Sequence, residues 1–182
     1  MSVTESKVST TNPLYSVFKK YKNRCKTFVE TGTHEGTSIV SALELGFKEL
    51  YSVELNPWRA EYCKEKFEDY ENVHLSQGWS TDFLRELLPT INERCLFWLD
   101  AHDEGGGAPT FEELDIIKQH HIKNHVIIID DVPVYYGDGQ ALKNKITEIS
   151  DKYNFYWAKT RLGYGNYVLI ASTQKYKTRN KE

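Results

Sequence analysis

The sequence predicts an α/β fold: a doubly wound, mostly parallel sheet with helices on both faces and an antiparallel hairpin at its end. Three observations predict it. Strand-like and helix-like patterns alternate from Thr27 onward, the rhythm of parallel strands joined by crossover helices. Two runs, Cys95-Leu96-Phe97-Trp98-Leu99 and Val126-Ile127-Ile128-Ile129, are apolar throughout, as strands covered on both faces must be. The last two strand patterns, Phe155-Tyr156-Trp157 and Tyr167-Val168-Leu169-Ile170-Ala171, have no helix between them and flank Gly163 and Gly165, which suits a hairpin.

The first strand, Phe28-Val29-Glu30, leads into a glycine-punctuated turn, Thr31-Gly32-Thr33-His34-Glu35-Gly36-Thr37-Ser38, that opens a helix. A side chain at Gly32 or Gly36 would block a ligand approaching the backbone. Ile39 to Leu45 continue the helix and Gly46 stops it. The second strand, Leu50-Tyr51-Ser52-Val53-Glu54, ends in an acid placed to accept hydrogen bonds from a ribose. Pro57 opens the next helix, through Ala60, Tyr62, Cys63 and Phe67. A short strand over 73–75 is followed by a helix over 81–88 that Pro89 ends. Beyond Asp100, Gly105-Gly106-Gly107 forms either a lid hinge or a permissive turn. Residues 110–119 form a helix with Phe111, Leu114, Ile116 and Ile117 as apolar members. Asp130-Asp131 close the fifth strand, and a helix is expected over 140–153.

A chain of 182 residues, 40% hydrophobic and 27% charged, suits one domain of ordinary size. We expect a leader with an N-terminal helix or cap over 1–26, the main domain over 27–172, and a basic, solvated tail over 173–182. A net charge of −3 gives no footprint for nucleic acid. Cys25, Cys63 and Cys95 are widely spaced without a CxxC pair, which points to a reducing, cytoplasmic compartment rather than to disulfides or zinc. Residues 1–12 are rich in Ser and Thr and lack the apolar segment of a signal peptide. No run is long enough to span a bilayer.

A glycine turn followed by an acid at the next strand end signals a nucleoside-containing cofactor. Gly32-x-x-x-Gly36 departs from the Gly-x-Gly-x-x-Gly of dinucleotide-dependent oxidoreductases, and a closing hairpin is foreign to that fold. Glu30, Glu54, Asp100, Asp130 and Asp131 all fall at strand ends, where ligands gather in open α/β sheets. Any one of them alone is as well explained as a loop or helix cap. Asp100, Asp130 and Asp131 together would raise one another's pKa without a counter-charge, and a divalent ion with oxygen ligands resolves that conflict.

From about Thr27 to Ala171 these landmarks resemble the class I S-adenosylmethionine-dependent methyltransferases, which implies a sheet of seven strands whose last pair is the hairpin. Glu30 to Gly36 looks like the family's first motif, acid-x-Gly-x-x-x-Gly. By this resemblance Glu30, Thr31, Gly32, Thr33, His34, Gly36, Thr37 and Ser38 line the donor, and Glu54 takes its ribose. Gln77-Gly78-Trp79-Ser80 stands where the family often has Gly-Asp beside the adenine. Trp79 replaces the acid, which leaves stacking by Trp79 or a bond from Ser80.

Leu99-Asp100-Ala101-His102 and Ile129-Asp130-Asp131 are similar to the strand ends of metal-dependent O-methyltransferases, a group that includes catechol and macrocin-type sugar enzymes. The resemblance implies that Asp100, Asp130 and Asp131 hold magnesium or manganese, that Asp100 also faces the donor, and that His102 takes a proton or serves as a further ligand. The Asp-x-His variant looks closer to the sugar-modifying members. The implied activity is methyl transfer from S-adenosylmethionine to a hydroxyl of a sugar or glycan. A small aromatic diol, a hydroxy acid, or a silent module that keeps the cofactor fold for binding are the alternatives. Trp58, Tyr135, Tyr136 and Tyr164 are expected on loops at the mouth, divided between stacking and packing. His120, His121 and His125 are expected at the surface or as caps. The small cap leaves room for a homo-oligomer in which a partner subunit covers the site.

Overall fold

Cys95–Leu99 is apolar at every position because it runs through the middle of the sheet and is buried along its whole length. It is β4 of a seven-stranded sheet ordered β3-β2-β1-β4-β5-β7-β6. The computed structural model describes residues 13–102, 107–159 and 167–175. The other strands are β1 (Thr27–Thr31), β2 (Glu49–Glu54), β3 (Val73–Gln77), β5 (Val126–Ile129), β6 (Asn154–Lys159) and β7 (Tyr167–Ser172). β1 to β5 run parallel, and β7 is antiparallel to both β5 and β6. The expected sheet, parallel with a closing hairpin, is the one observed.

The helices are α1 (Pro13–Tyr21), α2 (Thr37–Leu45), α3 (Pro57–Lys66), α4 (Ser80–Leu87), α5 (Thr110–Gln119), α6 (Val132–Tyr135) and α7 (Gln140–Ile149). Alternate residues of the strands feed two cores, one on each side of the sheet. Phe97 and Leu99 pack with Leu84, Leu114, Leu142 and Ile146 of α4, α5 and α7. Leu96 and Trp98 pack with Val17, Phe18, Ile39, Ala42 and Cys63 of α1, α2 and α3. Phe18 meets both Phe28 and Trp98 edge to face, so α1 is an integral part of this core.

Two elements differ from expectation. The last helix stops at Ile149 rather than 153, because Ser150 takes an extended backbone and its hydroxyl accepts from the Lys152 N–H at 3.3 Å. The chain then drops Tyr153 into the core. One turn of helix, α6, follows Asp131, with Pro133 in its first turn where no N–H is needed. Residues 1–12, Gly105, Gly106, 160–166 with Tyr164, and the tail beyond 175 lie outside the described residues.

The chain passes from β1 to β2 and β3 on one side, then crosses to β4 and β5 on the other side of β1. The direction of winding therefore reverses between β1 and β4, and the carboxyl ends of those two strands frame the crevice where such sheets bind ligands. No helix among the described residues is long and apolar enough to cross a membrane.

Candidate active site at the carboxyl edge of the sheet

The strand ladder runs on past the strands and delivers the acids to the crevice. Asp100 N–H donates to the Thr31 carbonyl at 3.0 Å, and Asp130 N–H to the Leu99 carbonyl at 3.1 Å. Asp131 then takes a left-handed backbone, φ 48°, which turns the chain into α6. Its carbonyl accepts the Val134 and Tyr135 N–H groups. Asp tolerates this conformation better than most residues. The result is that one carboxylate oxygen from each of Asp100, Asp130 and Asp131 lies within 4.8 Å of the others.

The electrostatics of this trio are those of an uncompensated acid cluster. Burial, and then Asp130 beside it, push the Asp100 carboxyl up to about 9. Burial also raises Asp130, to about 6, and its Oδ1 is buried without a hydrogen-bond partner. Among the described residues the ion-pair partner available is His102, whose Nδ1 stands 3.9 Å from Asp100 Oδ1 with 46% of the side chain exposed. His102 Nδ1 is also 3.1 Å from the Asp100 carbonyl oxygen. A carbonyl can only accept, so Nδ1 carries the hydrogen and Nε2 is the nitrogen left to take a proton. The His102 ring lies 5.7 Å from that of Tyr135.

The glycine turn is tied to the ends of the neighbouring strands. Gly32 and Thr33 N–H groups donate to the Val53 carbonyl. Glu54 accepts the His34 N–H at 2.7 Å and the Asn56 N–H at 2.9 Å, which fixes its carboxyl group against the turn. Asn56 in turn caps α3 by accepting from the Trp58 and Arg59 N–H groups. Lys66 and Cys63 reach back from α3 to the Glu35 and His34 carbonyls. Gly78 N–H donates to the Glu54 carbonyl at 3.0 Å, and a side chain at Gly78 would meet nothing within 4 Å. The residues of this first turn, Glu54 and Gly78 to Ser80 are thus brought to one crevice.

The structure adds to some of these expectations and corrects others. Gly32 and Gly36 are required by the protein's own packing: a Cβ at Gly32 would lie 2.6 Å from the Asp100 carbonyl oxygen, and one at Gly36 would lie 2.5 Å from the Phe67 ring. Glu30 does not present an open carboxylate at a strand tip. It is 0% exposed, takes hydrogen bonds from the Ser38 and Ser52 hydroxyls, and burial pushes it up to about 8. Thr33 Oγ1 extends the chain of hydroxyls at 2.5 Å from Ser52 Oγ. Thr37 and His34 are exposed, and Thr33, Ser38 and Ser80 are buried. Trp79 is 60% exposed beside the crevice.

His120 and His125 are buried, not at the surface. His120 does hold the capping position of α5, while His121 is exposed. Among the aromatic residues expected on loops, Trp58 sits in the first turn of α3 and is 84% exposed. Tyr135 belongs to α6. Tyr136 donates to Thr110 Oγ1 at 2.7 Å.

Glu113 is the acid that the strand ends alone do not reveal. It lies on α5, is 0% exposed, and burial raises it to about 7. Helical spacing would have found it, since Thr110, Glu113, Leu114 and Ile117 share the buried stripe of that helix. A groove of about 310 Å³ at the opposite edge of the sheet, lined by Thr27, Glu49, Tyr51 and Glu93 among others, is remote from this chemistry. Its two acids are already engaged by His74 and Thr27.

No protein-family model and no curated protein matches this sequence. Solved structures do match. The O-methyltransferase TomG of Streptomyces achromogenes, in complex with S-adenosylmethionine, is 15% identical with a TM-score of 0.64, over 89% of this chain and 80% of that one. The Bacillus cereus O-methyltransferase in complex with S-adenosylhomocysteine is 13% identical with a TM-score of 0.62, over 88% and 79%. A Podospora anserina methyltransferase bound to S-adenosylhomocysteine is 17% identical with a TM-score of 0.59, over 87% and 76%. Likeness at these identities is a likeness of architecture, and with the strand order and crevice described above it gives this chain the Rossmann-like class I methyltransferase fold.

Proposed function

We propose that this protein is an O-methyltransferase that uses S-adenosylmethionine as donor and a divalent ion, magnesium or manganese, to prepare a hydroxyl acceptor on a sugar or glycan. The observation that carries the reading is the trio Asp100, Asp130 and Asp131, with oxygens within 4.8 Å of one another, beside a glycine turn in a methyltransferase fold. An oxygen-only donor set suits a hard cation. Asp130 Oδ1, buried and without a partner, is the kind of atom such a cation would satisfy. An ion held by these three residues would supply Lewis acidity and orientation to an acceptor hydroxyl.

The chain's own residues account for the rest. Glu54, fixed by two backbone N–H groups, is placed to receive the ribose hydroxyls of the donor. Gly78 leaves the adenine side open, with Trp79 available to stack. The carboxylates of the crevice complement a sulfonium cation, whose methyl is the group transferred. His102 holds Nε2 ready to take the proton of the acceptor. Alignment of donor and acceptor supplies much of the rate, roughly 7–11 kcal/mol of barrier for a well-oriented pair. Cys25, Cys63 and Cys95, all free and buried, suit a cytoplasmic protein.

A second reading, methylation of a small aromatic diol, is favoured by the His102 and Tyr135 rings at the rim of the acid trio. Calorimetric titration with donor, with and without magnesium or manganese, tests the common core of both. Saturable donor binding strengthened by the metal is expected, and no donor binding in any condition ends the reading. A methyl-sized mass gain across panels of glycans and aromatic diols then separates the two acceptors.

A further inference from the structure

Glu113 stands apart from the strand-end acids, yet it is as enclosed as Glu30. Packing alone does not call for a carboxyl there, since Leu114 and Ile117 make the helix-to-sheet contact of α5. Ser80 and Thr31 are among its polar neighbours: burial raises its carboxyl, and their hydroxyls oppose that rise. None of these contacts closes into a normal hydrogen bond: both Glu113 oxygens and Thr31 Oγ1 are buried without a partner.

The two neighbours belong to the two walls of the crevice. Thr31 ends β1 directly before Gly32, and Ser80 opens α4 directly after Gly78 and Trp79. One buried side chain therefore stands beneath both turns that the donor reading requires. Thr110, one helical turn before it on α5, holds Tyr136 on the acceptor side.

We propose that Glu113 is a positioning residue for the donor, acting through Thr31 and Ser80 to set the separation of the two turns. The inference rests on the donor reading above. Glu113 is sealed from solvent and does not touch the ligand. The open hydrogen bonds leave the two turns able to draw together on its carboxyl when the crevice fills, so part of the donor's binding energy depends on that carboxyl.

The test separates fold from position. Glu113→Leu replaces a buried acid with an apolar group of similar size, so thermal stability holds or rises, while donor affinity by calorimetry falls about tenfold, the loss that accompanies one buried hydrogen bond. Glu113→Gln restores most of that affinity. In a second measurement Thr31→Val and Ser80→Ala each weaken the donor, and their combination loses less than the sum because both act through one carboxyl. This pair carries the test where the Leu variant does not fold. Wild-type donor affinity in Glu113→Leu, or strictly additive losses in the pair, overturns the inference and leaves the donor reading standing. Failure of the unaltered protein to bind donor removes that reading first and this one with it.

Discussion

Gly32 and Asp100 are in backbone contact across the switch point of the sheet. A methyl group at Gly32 would stand 2.6 Å from the Asp100 carbonyl oxygen, and the glycine itself has φ +88°. The end of β1 and the end of β4 therefore approach too closely for any side chain, and this approach brings the glycine turn up against the acid trio.

Gly32→Ala is expected to cost about 2–4 kcal/mol, the sum of a left-handed alanine and a forced displacement of packed backbone. Gly137→Ala is the comparison: at φ +58° it meets nothing within 4 Å and carries only the cost of a left-handed alanine, about 1–2 kcal/mol. Urea unfolding of both variants checks the difference. Equal losses would mean that contact with Asp100 is not what demands the glycine.

Replacing Asp130 by Asn should separate stability from metal binding. The variant removes a carboxyl raised by burial, with one oxygen unpartnered, so without metal it should melt at or above the wild-type temperature. Manganese at about a hundred times its dissociation constant should stabilise the wild type by about 2.7 kcal/mol. In the variant, metal affinity should drop at least about tenfold. Thermal melts with and without manganese decide it, and equal stabilisation of both proteins would rule the trio out as a metal site.

The acids at the strand ends were legible in the sequence because β4 and β5 are apolar throughout, so the first polar residues after them, Asp100 and Asp130, had to mark where the sheet stops. The strand order and hairpin followed from the same patterns. What the sequence hid was set by partners far along the chain. Gly32 answers to Asp100, and Gly36 to Phe67, neither of which the turn itself betrays. His125 looked like a surface residue because its partners, Cys95 and His120, meet it only once β4 and α5 are in place. Glu113 was hidden by its charge, although its helical position was that of a core residue.

The buried histidines form a directed chain. The Cys95 N–H donates to His125 Nδ1 at 3.0 Å, so the hydrogen on His125 must sit on Nε2 and point to His120 Nδ1, 2.9 Å away. His120 Nε2 then donates to the Ile91 carbonyl at 2.9 Å. A proton added to His125 Nδ1 would meet an N–H, and burial lowers its pKa from 6.5 to about 3. The unfolded chain takes that proton below about 6.5 and the folded one does not, so the contribution of His125 to stability falls as pH drops through that range. The expected loss is about 2 kcal/mol between pH 7 and 5. The difference in stability between wild type and His125→Gln in denaturation curves should shift by that amount in the variant's favour between pH 7 and 5, and a difference that does not change with pH would show that His125 binds protons alike in the folded and unfolded chains.

Glu30, Glu113 and Asp100 act in the opposite direction. Burial raises their folded pKa values to about 8, about 7 and about 9, from 4.5, 4.5 and 3.8. Each keeps its proton in the folded state where the unfolded chain has lost it. Their stabilising effect is complete below about pH 4 and is lost as pH rises through the folded values, about 3 kcal/mol for Glu30 alone by pH 7. Above about pH 6.5 His125 no longer contributes, so the metal-free protein should lose stability steadily from pH 6.5 to 9. Glu30→Gln should reduce that loss, and a divalent ion should reduce it further by compensating the charge that Asp100 acquires. Chemical denaturation in chelator across this range tests the account, and stability that holds level or rises with pH would show that these carboxyls are already ionised in the folded protein.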